Sequence, residues 1–322
     1  MNVARGLCGA FAATLLLLAP AQAQTTYPAK PVRMMVPFPP GGATDIIARM
    51  LTAKLQELWG QTVYIENRPG AATVVATEVV AKAPPDGYTL GFVITAHVVN
   101  PSLRDSLPYD TLRDLAAVSH VSNQHLVLAA HPGLEATSVA ELIALAKKQP
   151  GKLAYGSPGS GTAMHLAMEM LKTVAGIDIV HVPYKGGGPA QQDAMAGRLP
   201  LVAEVHHAAQ PNIRSGRLKA LAMLSPERPS FAKDVPVVAE TLPGVSAVSM
   251  VGIVAPGATP RELVRRIGAD VARAVRSPDL AEKMQAQGLE PVGSTPEQFE
   301  AFLRTEIEKW AKVVKASGAK AD

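Results

Sequence analysis

The chain has 322 residues with a formal net charge of +4; 48% of them are apolar and only 4% aromatic. So few aromatics leave no extended platform for stacking bases, and the basic residues form no cluster, which together argue against a nucleic-acid surface. At roughly 150 residues per domain, this length accommodates two domains.

Residues 1–9 carry Arg5, residues 11–19 are almost wholly apolar, and Ala21-Gln22-Ala23 is a small-x-small site. This pattern predicts a secretory signal peptide over residues 1–23, cleaved near Ala23, and a periplasmic mature chain. The apolar run falls short of the ~20 residues that span a bilayer, and no later stretch stays uncharged for long enough, so the mature chain is not expected to insert in a membrane. The only cysteine, Cys8, lies inside the signal. A mature chain without thiols excludes disulfides, a cysteine nucleophile and a thiolate metal site.

Residues 32–38, 63–66 and 88–95 read as the first three strands. Between them Ile47, Met50, Leu51, Leu55 and Leu58 recur at helical spacing up to Gly60, while Val75, Val79 and Val80 mark a second helix. That order is a βαβαβ unit with a parallel sheet. A second series starts with a strand at 126–130 and a helix at 138–149, where Ser138 and Glu141 have capping-box spacing. It continues with a strand at 153–156, a helix after Thr162 and strands at 179–184, 199–205 and 218–224.

Toward the end, Thr259-Pro260-Arg261-Glu262 and Thr295-Pro296-Glu297-Gln298 each combine a capping residue, a proline and an acid or amide in the first turn. Both predict helix starts as written. The apolar face that includes Phe299, Phe302 and Leu303 needs a sheet to cover, and the first lobe is nearest. No linker rich in Gly and Ser separates the lobes, so crossing strands should join them near residues 117–124 and 246–254. The expected fold is α/β and two-lobed, each lobe a mostly parallel sheet flanked by helices. Residues 24–120 and 250–322 form lobe 1 in this reading, and residues 121–249 form lobe 2.

Two loops invite a ligand. Pro37-Phe38-Pro39-Pro40-Gly41-Gly42-Ala43-Thr44-Asp45 runs from the first strand into the first helix, at the strand end where open parallel sheets bind ligands. Gly41 and Gly42 permit close backbone approach, and the N–H groups of a helix start favour an anion. Asp45 suits a cap or a supporting role better than an anion contact, and a tight turn without a ligand is the other reading of this loop. Gly156-Ser157-Pro158-Gly159-Ser160-Gly161-Thr162 holds the matching position in the second series, where Ser157, Ser160 and Thr162 can donate to a carboxylate. Thr162 also suits a helix N-cap.

Motifs for other chemistry fail. Met164 stands where a dinucleotide motif needs its third glycine, and no Gly-Lys-Ser/Thr phosphate loop exists. Neither Ser157 nor Ser160 has glycine two residues before and two after, as an esterase elbow requires. His165 and Glu169 are four apart on the predicted helix but lack the second histidine of a zinc site, and the adjacent His206 and His207 diverge on any regular element. No metal and no cofactor are expected.

At these loops the sequence resembles the extracytoplasmic substrate-binding receptors of tripartite tricarboxylate transporters, the Bug receptors. The likeness rests on Tyr27-Pro28-Ala29-Lys30-Pro31, residues 37–45, Glu66-Asn67-Arg68-Pro69-Gly70, Pro85-Asp86-Gly87-Tyr88-Thr89-Leu90 and Asn100-Pro101-Ser102-Leu103. Leu107-Pro108-Tyr109-Asp110, residues 156–162 and His181-Val182-Pro183-Tyr184-Lys185-Gly186 complete it. The resemblance implies a periplasmic binding fold of type II character that closes on an organic acid and hands it to membrane permease subunits. It also implies that the loops of Gly41, Gly42 and Asp45 and of residues 157–162 line the cleft.

This chain departs from the family pattern at three places. Ala71-Ala72-Thr73-Val74-Val75 replaces a glycine-rich stretch, Thr95-Ala96 displaces a hydroxyl by one position, and Glu204-Val205-His206-His207 stands where an Asp-Asn pair and Leu-Pro-like residues are usual. The expected ligand-binding set is Gly41, Gly42, Thr44, Asp45, Thr95, Ser157, Gly159, Ser160, Gly161, Thr162, Tyr184 and Glu204, with no catalytic residue. A monomeric, non-enzymatic receptor for a small carboxylate follows. A receptor feeding a sensor system and a periplasmic hydrolase are the alternatives, and whether Glu204, His206 and His207 face the cleft or the outside is open.

Overall fold

The computed structural model describes residues 27–321; the signal-peptide reading falls on residues 1–23, outside the described residues. In the first half, strands β1 (Val32–Val36), β2 (Val63–Asn67) and β3 (Thr89–Ile94) alternate with helices α1 (Ala43–Trp59), α2 (Val74–Ala81) and α3 (Ala96–Leu103). Strand β1 pairs in parallel with both β2 and β3. Its run Val-Arg-Met-Met-Val is buried at four of five positions, as a parallel strand covered on both faces requires. Helix α1 buries Ile47, Leu51 and Leu55 along one face and stops at Gly60, whose φ of 62° is a left-handed cap.

The second half repeats this layout. It contains β4 (Leu115–Ala130), α4 (Val139–Lys148), β5 (Ala154–Ser157), α5 (Ala163–Ala175), β6 (Val180–Pro183), α6 (Gly187–Met195), β7 (Leu201–Val205), α7 (His206–Arg214) and β8 (Lys219–Met223). Strand β5 pairs in parallel with β6 and β7. The chain then returns through β9 (Val248–Pro256), α8 (Arg261–Val275), α9 (Pro278–Ala286), β10 (Leu289–Pro291) and α10 (Pro296–Ser317).

The two parallel trios are joined by antiparallel strands, giving the order β2-β1-β3-β9-β4-β7-β5-β6, with β8 and β10 also on β4. Strand β4 carries the join. From Leu115 to His125 it pairs with β9, and from Leu126 to Ala130 it pairs with β7. From the sequence a crossing strand is expected near residues 117–124 and a separate strand at 126–130, whereas the chain runs as one strand; Ser119, His120, Ser122, Asn123 and Gln124 read as polar, and two register shifts against β9 break the alternation. Part of that polarity is satisfied inside: Ser119 Oγ donates to Ser294 O (2.8 Å) and His120 N to Ser294 Oγ (2.9 Å).

Of the marked helix starts, Ser138 accepts from Glu141 N (3.2 Å), and Thr295 and Gln298 form a reciprocal capping box at 3.2 and 3.0 Å. Thr259 does not cap. The turn from Pro256 O to Thr259 N (3.0 Å) draws it inward, its hydroxyl finds no partner, and Pro260 precedes the first turn of α8 instead. Helix α10 buries Phe299, Leu303, Trp310 and Val314 against α3, β4 and α5, so it covers elements of both halves rather than one sheet. Helices α3, α6, α7 and α9 and strand β10 were not expected.

His97 on α3 is fully buried, both ring nitrogens lack partners, and burial lowers its pKa to about 4. The unfolded chain, near 6.5, then binds more protons than the folded one between pH 6.5 and 4, so stability falls as pH drops through that window. His97→Leu is expected to flatten the fall of the unfolding midpoint with acid, by at most about 3 kcal/mol between the ends of the window. Identical midpoint-against-pH curves for the two proteins would refute this.

Candidate functional site

Where the carboxyl ends of β1 and β7 face the loop after β6, the chain leaves a cavity of about 580 Å³. Its wall is built from helix starts. Gly42, Ala43 and Thr44 belong to the start of α1, Gly186, Gly187 and Gly188 to α6, and His207 and Ala208 to α7. First-turn N–H groups find no carbonyl within their own helix, and the aligned peptide dipoles add positive potential there. Phe38, Ile94, Met164, Met195 and Pro211 supply apolar wall between them.

The α1 start is braced from behind. Asp45 is fully buried and accepts from Gly41 N (2.9 Å), Arg49 Nε (2.7 Å) and Asn67 Nδ2 (2.9 Å). Burial alone would raise its carboxyl, but the hydrogen bonds from Arg49, Asn67 and Gly41 outweigh that and hold it below the usual range. Gly41 takes φ +80°, a left-handed conformation that a side chain adopts only with strain. Asn67 also donates to Phe38 O (2.8 Å), so the loop is fixed at both ends.

The opposite wall carries Glu204, the last but one residue of β7. Its side chain is 1% exposed, and Oε1 accepts from Val205 N (2.8 Å) while Gln191 Nε2 lies 3.4 Å from Oε2. Gln191 is itself held by Asn212 Nδ2 (2.8 Å). A Cβ on Gly187 would stand 1.4 Å from Glu204 Oε2, so only glycine lets this carboxylate lie against the start of α6. Burial pushes the Glu204 carboxyl up to about 7 despite those hydrogen bonds. Gln124 Nε2 has no hydrogen-bond partner although Gln124 lines the cavity, as does His207. Burial lowers His207 to about 4, so its ring is neutral near neutral pH.

The sequence-predicted residues therefore divide into groups. Gly41, Gly42, Thr44 and Glu204 line this cavity. Gly159, Ser160 and Tyr184 line an adjoining one of about 270 Å³, which shares Phe38, Pro158 and Lys185 with the first. Asp45, Thr95, Ser157, Gly161 and Thr162 line neither and act as braces. Thr95 Oγ1 accepts from Met250 N (3.0 Å), beside the cavity residue Ser249. Thr162 caps α5 through His165 N (3.4 Å) and donates to Gly159 O (2.8 Å), while Gly161 N donates to His165 Nδ1 (3.0 Å). Ser157 Oγ lies 2.7 Å from His181 Nε2, yet Ser157 is fully buried and borders neither cavity.

His207 faces the cavity, whereas His206 packs on Phe231 with ring centroids 5.0 Å apart. Gln124, Lys185, Gly187, Gln191 and Ser249 are wall residues absent from the expected set. For Lys185 and Gly187 the signal was present in the sequence, as the glycine run after β6 has the same strand-to-helix placement as Gly41-Gly42. Among the described residues no three His, Cys, Asp or Glu side chains are grouped to hold a metal ion. No helix among them is long and apolar enough to cross a membrane.

Comparison with known proteins agrees with this architecture. Protein BugT of Bordetella pertussis is 40% identical over 99% of both chains. An R. palustris protein solved with adipate is 34% identical, with a TM-score of 0.89 over 92% of this chain and 100% of that one. MatC from Rhodopseudomonas palustris, solved with bound malate, is 28% identical with a TM-score of 0.84 over 89% and 100%. Such relatives are substrate-binding receptors and not enzymes. Residues 47–319 match the family described as the tripartite tricarboxylate transporter family receptor, and the chain belongs to that family.

Proposed function

We propose that this receptor captures a small organic acid in the 580 Å³ cavity and delivers it, as a periplasmic monomer, to membrane permease subunits. The observation that carries the reading is the convergence of three helix starts, α1, α6 and α7, on one cavity, an arrangement that holds a carboxylate by backbone N–H groups. The size suits a small ligand. Adipate and malate in the two relatives belong to the same chemical class. Of the described residues, those up to 120 together with those from 250 onward form one lobe and residues 121–249 the other, closing on the acid from both sides. Calorimetry against dicarboxylates, tricarboxylates, aromatic acids and neutral sugars tests the reading. At least one acid is expected to bind and no sugar. Binding of sugars alone would overturn it.

A further inference from the structure

We propose that Glu204 occupies the start of α6 with its own carboxylate, so that the cavity prefers an acid with one carboxylate at α1 and a hydroxyl or ammonium donor at Glu204 over a dicarboxylate. This rests on the cavity being a carboxylate site.

The cavity has an open helix start at α1 and a filled one at α6. At α1 the Asp45 carboxylate is engaged by Arg49 and Asn67, and Ala43 and Thr44 line the wall at a helix start, where first-turn N–H groups have no carbonyl partner within the helix and suit an incoming anion. At α6, Glu204 Oε2 lies where a Gly187 side chain would begin. The α6 dipole there already has its negative partner.

Glu204 has neutral partners only. Val205 N and Gln191 Nε2 reach it, and among the described residues it makes no ion pair. Lys185 is the cavity residue with a permanent positive charge, and it is exposed on the rim. A second ligand carboxylate beside Glu204 would place two anions together out of water with nothing to neutralise them, which disfavours the diacid. An ionised carboxylate offers about four lone-pair sites, of which two are used here, so a ligand hydroxyl or ammonium finds acceptors waiting. A second buried polar group stands beside the same cavity: Gln124, 2% exposed, is a wall residue whose Nε2 has no hydrogen-bond partner, a donor available to a ligand oxygen.

Calorimetry at pH 8, where Glu204 is ionised, compares straight-chain acids of equal length that end in methyl, hydroxyl, ammonium or a second carboxylate, for chains of four to six carbons. The wild type is expected to bind the hydroxy or amino acid at least tenfold more tightly than the matching diacid. In Glu204→Gln the gap should shrink below threefold, with the diacid gaining. Gly187→Ala is the second variant: its Cβ would stand 1.4 Å from Oε2 and expel the carboxylate, so it should narrow the gap even if the glutamine protein fails to fold. Equal binding of diacid and donor-bearing acid by the wild type, or a gap that survives both substitutions, overturns this inference and leaves the carboxylate reading standing. If no acid binds any of the three proteins, both fall.

Discussion

Replacing Phe299 with alanine is expected to lower the unfolding free energy by about 3–5 kcal/mol, the range for truncating a fully buried aromatic. The ring is 0% exposed, it stacks on His120 of β4 at 5.7 Å, and its Cζ lies 2.1 Å from where a Cβ on Gly252 of β9 would be. One side chain of α10 thus fills the space left by a glycine in the strand next to β4. The surrounding β4–β9 ladder is long and cannot collapse into the void. Urea unfolding of the two proteins gives the answer, and a loss under about 1 kcal/mol would mean that the site relaxes freely.

Gly42→Val is expected to weaken every acid by about a hundredfold, roughly 2.7 kcal/mol, while leaving the fold in place. Gly42 has φ −76°, which any residue adopts, and a Cβ there would meet Pro39 O at 3.4 Å, an ordinary contact. The substitution therefore spares the backbone. The added methyl groups instead crowd the N–H groups at the start of α1. A side chain at this place should act on all acids alike, in contrast to changes at Glu204, which alter their order. Unchanged affinity with an unchanged melting curve would remove the α1 start from the binding surface.

Much of the scaffold is legible in the sequence because burial on both faces or on one stripe leaves a periodic trace, as in β1 and α1. The Thr295-Pro296-Glu297-Gln298 box is local chemistry, and it folds as spelled. Thr259 shows the limit: its neighbour Pro256 makes a turn that buries the hydroxyl, and spacing alone does not reveal that. Helices α6 and α7 escape notice because Gly187-Gly188-Pro189 and Pro211 have the composition of loops, yet all four residues line the cavity wall. That side of the wall is hidden in the sequence for this reason. Gln124 and Ser249 lie on paired strands far apart in sequence, and only the ladder between β4 and β9 brings them opposite one another. Ser157 and Thr162 look like ligands for the reason that makes them braces, since a short hydroxyl side chain bonds its own loop first.

The position of β9 sets a timetable for the growing chain. Strand β9 lies between β3 and β4, yet its residues 248–256 are made long after residues 89–94 and 115–130. At about 5–20 residues per second, β3 waits on the order of ten seconds or more for its neighbour. Throughout that interval the edge of β3 has no strand to satisfy it, and Phe92 and Ile94 have no β9 beside them. Without that inner strand the trio of β2, β1 and β3 is not joined through β9 to β4, so closure of the whole sheet waits until the last third of the polypeptide has been synthesised.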